Sequence, residues 1–254
     1  LIALADMMDS GVTIDVSLSR HQHVLPDNVR MPAGGLGIRL KDQPLDKERR
    51  LRLFKVPAAI AYAKVNRLDR MTLTSPRPRL GIAAHGQAYK DVLEAFAAMG
   101  LSLAEAADLG VTLYKVGMPW PLEPTGIRAF ARGLETLLVV EHKRPLLEQQ
   151  IRSALYDLPA QAHPRIIGKM DEQAHPLLSE LSSLSVAEVA LAIADRLPAG
   201  PHMDRVHDYL NRVSASGVAA VSLGAQELRK PFFCSGCPHN SSTKLPEGSR
   251  ALAG

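Results

Sequence analysis

The amino-acid sequence predicts an α/β fold, a parallel sheet with helices on both faces. Short apolar runs alternate with helical patterns between Arg79 and Ile167, the order expected of strands joined by crossover helices. Those runs are apolar almost without interruption, as strands buried on both sides are. Gly100, Gly110 and Gly133 close three helical patterns, Pro124 opens the third of them and Pro145 a fourth, so the boundaries are marked independently of hydropathy.

Ahead of that region, Leu1 to Pro44 has no sustained period. Within it, Val12-Thr13-Ile14-Asp15-Val16 alternates as a short strand does, and Ala33-Gly34-Gly35-Leu36-Gly37 reads as a turn. Asp46 can cap a helix running to about Arg67, with Leu51, Phe54, Ala58, Tyr62 and Val65 on one stripe. Pro57 lacks an amide hydrogen and should kink or break that helix. Thr74-Ser75-Pro76-Arg77-Pro78 reads as a linker.

The alternating region begins with a strand over Arg79–Ala84 and a helix over Gln87–Met99. A second helix spans about Leu103–Leu109, followed by a strand over Val111–Val116 and a helix over Pro124–Gly133. Leu137–Val140 is a buried strand, Pro145–Tyr156 a helix and Arg165–Ile167 a last short strand. Right-handed crossovers are expected throughout. Beyond Ile167 the strand signal fades. Ser185–Arg196 reads as an amphipathic helix capped by Ser185, Pro201–Val213 as another, and the small residues of Ser214–Gly224 as a connector.

Composition narrows the function. Hydrophobic residues make up 46% and charged residues 22% of the 254 residues, an ordinary globular balance, but aromatics are only 4%, so aliphatic side chains must build the core. The net charge of +4 is spread along the chain, and the densest group, Lys47, Arg49, Arg50 and Arg52, is interrupted by Glu48. Without a basic face interleaved with aromatics, a nucleic-acid partner is not expected. There is no signal peptide and no apolar run near the roughly 20 residues that span a bilayer, so no membrane partner is expected either. Two cysteines set three positions apart suit a reducing, cytoplasmic compartment better than a disulfide framework. The chain opens at Leu1 without methionine and stops at Gly254 without a termination signal, which suggests an internal fragment.

One chemical signal is sharp. In Cys234-Ser235-Gly236-Cys237-Pro238-His239-Asn240, Gly236 permits a tight turn and Pro238 stiffens its exit, so both thiolates can face one soft metal centre. Zinc and iron–sulfur centres usually need four ligands. The remaining 17 residues (254 − 237) hold no further cysteine, although His239 can supply a third zinc ligand. Half a metal site, a redox-active dithiol and two plain thiols in a turn all remain open. Other signals read more simply. His85, after the first strand of the alternating region, lies where open α/β sheets bind ligands, yet it can merely cap the next helix. Glu141-His142-Lys143-Arg144 reads as a solvated strand exit, with an interface pair as the alternative. His21 and His23 share a side with no acidic or thiolate partner, and Trp120, between Pro119 and Pro121, reads as a packing anchor in a rigid loop.

Tyr114-Lys115-Val116-Gly117-Met118-Pro119-Trp120-Pro121-Leu122-Glu123-Pro124 resembles a segment of the 2-oxoacid:ferredoxin oxidoreductases, the strand and turn of their transketolase carboxyl-terminal-like domain. Leu138-Val139-Val140-Glu141-His142-Lys143-Arg144 is similar to the next strand, although the family more often has an acidic residue where His142 stands. Cys234 to Asn240, with Lys244 to Ala253, resembles the entry of the thiamine-diphosphate-binding domain in the long, fused bacterial indolepyruvate:ferredoxin oxidoreductases. Leu25-Pro26-Asp27 and Pro32-Ala33-Gly34-Gly35-Leu36 resemble the tail of their pyrimidine-binding domain.

The resemblance implies the end of one thiamine-binding domain with a helical linker over residues 1–74, and a transketolase carboxyl-terminal-like domain over 79–168. A helical connector over 169–228 and the start of a second thiamine-binding domain over 229–254 would follow. It implies oxidative decarboxylation of indolepyruvate or a related arylpyruvate, with coenzyme A taking the acyl group and ferredoxin the electrons, in a homo-oligomeric enzyme. Thiamine diphosphate, Mg²⁺ and a 4Fe–4S cluster would be its cofactors, with Cys234 and Cys237 supplying half of the cluster's ligands and His239 and Asn240 approaching thiamine or substrate. The glutamate that activates thiamine would lie before Leu1, and the Mg²⁺ and diphosphate ligands after Gly254, so this segment alone should be inactive. A non-catalytic α/β interaction module with a zinc-type turn is the alternative from another class. A cluster-free transketolase-like component is a third.

Overall fold

The structure is a computed structural model that describes residues 13, 15–17, 22–37, 39–159, 163–181, 183–215 and 235–250. The chain divides into two compact units, Leu1–Ala219 and Ala220–Gly254, each described by itself. Of the expected strand at Val12–Val16, Thr13, Asp15 and Val16 are described and lie in no strand, while Val12 and Ile14, like His21 and Cys234, lie outside the described residues.

In the first unit, α1 (Pro44–Arg50) and α2 (Val56–Val65) are joined by a π-helical turn over Leu51–Lys55, in which the Val56 amide donates to the Leu51 carbonyl. The expected disturbance at Pro57 is therefore a local unwinding just ahead of the proline, and the helix continues beyond it. The glycine turn is present, with Gly34 and Gly35 at φ 77° and 74°. Asn66 then ties the leading segment to α2: its side chain accepts from the Val24 amide at 2.9 Å and donates to the Val24 carbonyl at 2.8 Å.

Five strands follow: β1 (Arg70–Leu73), β2 (Leu80–His85), β3 (Val111–Val116), β4 (Thr136–Val140) and β5 (Arg165–Ile167). They form one sheet in the order β1-β3-β2-β4-β5. All neighbours are parallel except β1, which runs antiparallel to β3. The sequence predicted β2 to β5 within a residue or two and missed β1. Arg70, Met71 and Thr72 are exposed, so this edge strand carries little apolar signal of its own and is defined by pairing with β3.

Helices cover both faces of the sheet. Leu80, Ile82 and Ala84 of β2, Val111 and Leu113 of β3, and Leu138 and Val140 of β4 face one side. They pack there on α3 (Gly86–Ala98), α4 (Leu103–Asp108), α7 (Val186–Ala194) and α8 (Met203–Ala215). Ala83, Tyr114, Val116, Leu137 and Val139 face the other side, against α5 (Pro124–Ala131) and α6 (Leu146–Leu155). The alternation follows from the two-residue period of a strand.

Helix ends are specified locally. α3 stops at Gly100, φ 71°, where the Leu101 amide donates to the Phe96 carbonyl at 2.9 Å, and Leu101 is buried. Ser102 with Glu105, and Ser185 with Glu188, form reciprocal capping boxes on α4 and α7. Phe96, Leu113, Leu138, Ile151 and Ile193 are essentially removed from water, each contributing ~1.5–3 kcal/mol. Residues after Gly168 add to the same core: Leu178, Leu184, Val189, Ile193 and Val206 lie in the cluster with β2 and β4.

Candidate functional site

Strand order locates the crevice where an open α/β sheet presents a ligand site. From β2 the chain leaves through α3 and α4 to β3 on one side, and from β4 through α6 to β5 on the other. The topological switch point is therefore the carboxyl edge between β2 and β4. His85 ends β2, and Glu141 and His142 follow β4 directly.

The expected solvated strand exit at Glu141–Arg144 is overturned for its first half. Glu141 is 1% exposed, and its carboxylate accepts from the amides of Leu147 at 2.7 Å and Glu148 at 2.8 Å, capping α6. Burial pushes its carboxyl up from the ordinary range, while the two amides and nearby Lys169 pull it down. His142 uses both ring nitrogens: Nε2 meets Asp91 Oδ2 at 2.8 Å, and the Leu184 amide donates to Nδ1 at 3.0 Å. A backbone donor at Nδ1 fixes the tautomer, so Nε2 carries the proton and donates to Asp91. Gln87 Nε2 also donates to Asp91, at 2.9 Å to Oδ1. An Asp–His pair here resembles an acid–base dyad, yet neither nitrogen is left to take a substrate proton. The pair is a clasp.

Residues 169–181 and 183–185 form a strap over the same edge. Lys169, 5% exposed, donates from Nζ to the carbonyls of Glu141 at 2.7 Å and Ser179 at 3.1 Å. Burial drives its ammonium below the ordinary lysine value, against the pull of Glu141, Glu180, Glu148 and Glu188. Leu178 and Leu184 drop into the core beneath. Thus this part of the chain packs over the switch point itself. His85 remains at the rim, at the N-cap position of α3 but with no side-chain capping bond. Burial, then the neighbouring His142, holds its imidazole below the usual histidine value.

At the carboxyl end of β3 stand Asp69, Tyr114 and Glu123. Asp69 Oδ1 accepts from the amides of Gly117 at 2.7 Å and Met118 at 3.1 Å, and burial raises its carboxyl. Glu123 caps α5 through the Thr125 and Gly126 amides. Burial, then Asp69 and Glu123, pushes the Tyr114 phenol up. The expectation for Trp120 also fails: it is 49% exposed rather than a packing anchor. A cavity of about 260 Å³ lies at the opposite, amino edge, lined by Arg77, Arg79, Asp108, Gly110 and Pro198–Pro201 among others; Arg79 is held there by both Glu135 oxygens at 2.8 Å.

In the second unit, Gly236 adopts φ 82° and Cys237 lies just ahead of Pro238, the N-cap of the short helix α9 (His239–Ser242). Cys237 Sγ lies 3.2 Å from His239 Nδ1, and the Asn240 amide donates to the Cys237 carbonyl at 3.0 Å. The turn thus offers a thiol and an imidazole side by side, which suits one arm of a metal centre. No group of three or more His, Cys, Asp or Glu among the described residues can hold a metal ion. Among the described residues the geometry brings Cys237 and His239 together and does not complete a site.

The indolepyruvate oxidoreductase domain profile matches residues 70–220. The chain belongs to the indolepyruvate oxidoreductase domain family. The chain is similar to the indolepyruvate oxidoreductase subunit IorA of Thermococcus kodakarensis, 25% identical over 171 residues, covering 65% of this chain and 22% of that protein. The Pyrococcus abyssi protein of the same name is 26% identical over 167 residues, with the same coverage. The chain therefore spans about a fifth of the length of these relatives. Among solved structures, a 2-oxoglutarate:ferredoxin oxidoreductase from Magnetococcus marinus aligns at TM-score 0.37 and 14% identity, covering 66% of this chain and 25% of that one. A split-gene transketolase aligns at TM-score 0.34 and 18% identity, covering 50% and 40%. The indolepyruvate oxidoreductase match begins at β1 and runs through the strap and both following helices, so the family domain takes in Lys169, Leu184 and Ser185 together with the sheet they pack on. No helix among the described residues is long and apolar enough to cross a membrane.

Asp91, Lys169 and Asp69 were not singled out by the sequence. Their partners lie 51, 28 and 48 residues away, and no local pattern announces such pairings.

Proposed function

We propose that this chain is part of a thiamine-dependent oxidoreductase that oxidatively decarboxylates indolepyruvate or a related arylpyruvate, transferring the acyl group to coenzyme A and electrons to ferredoxin. The observation that carries the reading is the family match over residues 70–220, followed in the same chain by the paired cysteines Cys234 and Cys237. Thiamine diphosphate with Mg²⁺ would supply the carbon chemistry, and a 4Fe–4S cluster the route for single electrons. Cys234 and Cys237 are the chain's contribution to that cluster, the remaining ligands coming from elsewhere in a longer, cytoplasmic, homo-oligomeric enzyme. His239, against Cys237, orients the thiolate, and with Asn240 borders the thiamine or substrate space. Residues 79–168 act as scaffold and subunit interface; the clasp at His142 within them, and the strap that begins at Lys169 just beyond, stiffen the carboxyl edge and carry no proton of the reaction.

The test is made on the parent polypeptide purified without oxygen. Iron and sulfide in the intact protein, lost in Cys234→Ser and Cys237→Ser together with ferredoxin reduction, is the expected result. Colourless protein with stoichiometric zinc would instead identify an interaction module with a structural turn. Ferredoxin reduction that survives Cys234→Ser would indicate a cluster-free transketolase-like component. Calorimetry on the 254-residue chain with thiamine diphosphate and Mg²⁺ should detect no micromolar binding.

A further inference from the structure

The loop after β3 holds an aromatic side chain half out in solvent. Trp120 is the sole tryptophan, and at 49% exposure it leaves about half an indole in water, forfeiting on the order of 1 kcal/mol of burial. This exposure does not come from a loose loop. Asp69 Oδ1 accepts from the Gly117 and Met118 amides at 2.7 and 3.1 Å. Gln150, on α6, donates from Nε2 to the Pro119 carbonyl at 2.8 Å and accepts at Oε1 from the Leu122 amide at 3.0 Å. Side chains from two other elements therefore pin the loop at both ends. An indole fixed in place before binding loses little rotamer entropy when it is covered.

Trp120 does not stand alone. The same Gln150 Nε2 donates to the Leu146 carbonyl at 3.0 Å, so the backbones at 119 and 146 meet at one nitrogen. Leu146 is 48% exposed. Beside it, Lys143 and Arg144 are exposed, and among the described residues neither side chain has a hydrogen-bond or ion-pair partner. The nearest acids in sequence offer no offset: Glu141 and, beside Trp120, Glu123 are buried and turned onto helix amides, and buried Glu148 is taken by Arg152 and the Lys169 amide. Two exposed apolar side chains on backbones joined by Gln150 thus stand with two exposed cations just before Leu146, unpaired among the described residues.

We infer that the Trp120–Leu146 surface is a docking site for an acidic protein segment carrying an apolar or aromatic side chain. Tryptophan is enriched among the residues that dominate interfaces, with rim charges choosing the partner. Charge decides the occupant. A second copy seated on this patch about a twofold would bring both pairs of cations around one centre, a like-charge arrangement that disfavours it. Two cations at roughly 1 kcal/mol each, beside side chains that are only half exposed, make a poor membrane anchor. The inference stands apart from the redox reading above and survives its failure.

Because Trp120 is the sole tryptophan, its fluorescence reports on this site in the chain as it exists. The probe is a random glutamate–tyrosine copolymer, with polyglutamate and a lysine–tyrosine copolymer as controls and acrylamide as neutral quencher. The glutamate–tyrosine copolymer should shift Trp120 emission to the blue and reduce quenching about twofold, as covering half the ring requires. The double variant K143E/R144E should bind it about tenfold more weakly, and L146S several-fold more weakly, with far-ultraviolet circular dichroism unchanged. Absence of any response to the glutamate–tyrosine copolymer overturns the inference, as does equal protection by polyglutamate or undiminished binding by K143E/R144E. Protection that grows with protein concentration alone would assign the face to a second copy. The same shift with phosphatidylserine–phosphatidylcholine vesicles would assign it to a membrane.

Discussion

His142 joins Asp91, 51 residues before it, to the Leu184 amide, 42 residues after it. One imidazole thereby fastens α3 to the strap at the carboxyl edge of the sheet. His142→Phe keeps the ring shape but leaves the Leu184 amide and one Asp91 oxygen unsatisfied, at a cost of ~2–4 kcal/mol. His142→Asn can still accept from Leu184, and His142→Gln can still donate to Asp91, so each should recover part of the loss. Urea unfolding followed by circular dichroism measures the series. Equal stability of the phenylalanine variant and the parent would remove the clasp.

Lys169 fastens the strap by a different device. Its ammonium donates to two backbone carbonyls, of Glu141 and Ser179. Lys169→Met fills the same volume and strands both carbonyls, so a loss of ~2–4 kcal/mol is expected. Amide hydrogen exchange should quicken first in residues 177–185, before β2 or β4, because the strap is what the lysine holds. Uniform loss of protection across the sheet would contradict that order.

The sheet was legible because its strands are buried on both faces and its helices carry their own stops: apolar runs over Leu137–Val140 and Val111–Val116, glycines at 100 and 110, and the Ser185 cap. Local chemistry fixes such features. β1 was illegible because its three exposed residues draw their structure from β3. The Glu141–Arg144 run was misread because charge in sequence signals solvent, whereas Glu141 is satisfied by helix amides six and seven residues on. Trp120 misled in the opposite direction, since apolar character in sequence signals burial. At the cysteine turn the sequence identified the thiol pair, and the structure adds the 3.2 Å approach of His239 to Cys237.

Gly117 is needed for closeness rather than for an unusual backbone angle. A methyl group there would come within 2.4 Å of the Leu68 carbonyl oxygen and 2.9 Å of its carbon, both of them backbone. Gly117→Ala must therefore push the loop away from the turn before β1, breaking the Asp69 bonds to the Gly117 and Met118 amides. The expected loss is ~1–3 kcal/mol. Trp120 should also show a broader emission band and faster quenching as the loop loosens. Gly133→Ala is an informative control, since its Cβ would meet nothing within 4 Å, although its φ of 77° adds strain. It should lower stability without changing Trp120 emission.

The pH dependence of stability turns on His85. Burial and the neighbouring His142 hold its folded value below the ordinary one, whereas the unfolded chain titrates near about 6.5. As pH falls through that value, the unfolded state takes up a proton that the folded state resists, so folded stability drops; as pH rises it is regained. Asp69 and Glu141 act with the opposite sign at lower pH. Their folded carboxyls are raised, so between those raised values and the ordinary carboxylate range near about 4, the folded state is the one that holds protons, and acid favours it. The histidine contribution is therefore read in the interval centred on about pH 6.5, the unfolded value, as the difference between the parent and a variant that lacks the imidazole. Thermal unfolding across that interval should show a midpoint that rises with pH. His85→Gln, which cannot ionise and leaves the Asp91–His142 clasp in place, should flatten the rise. An unchanged slope in that variant would show that the proton is taken up elsewhere.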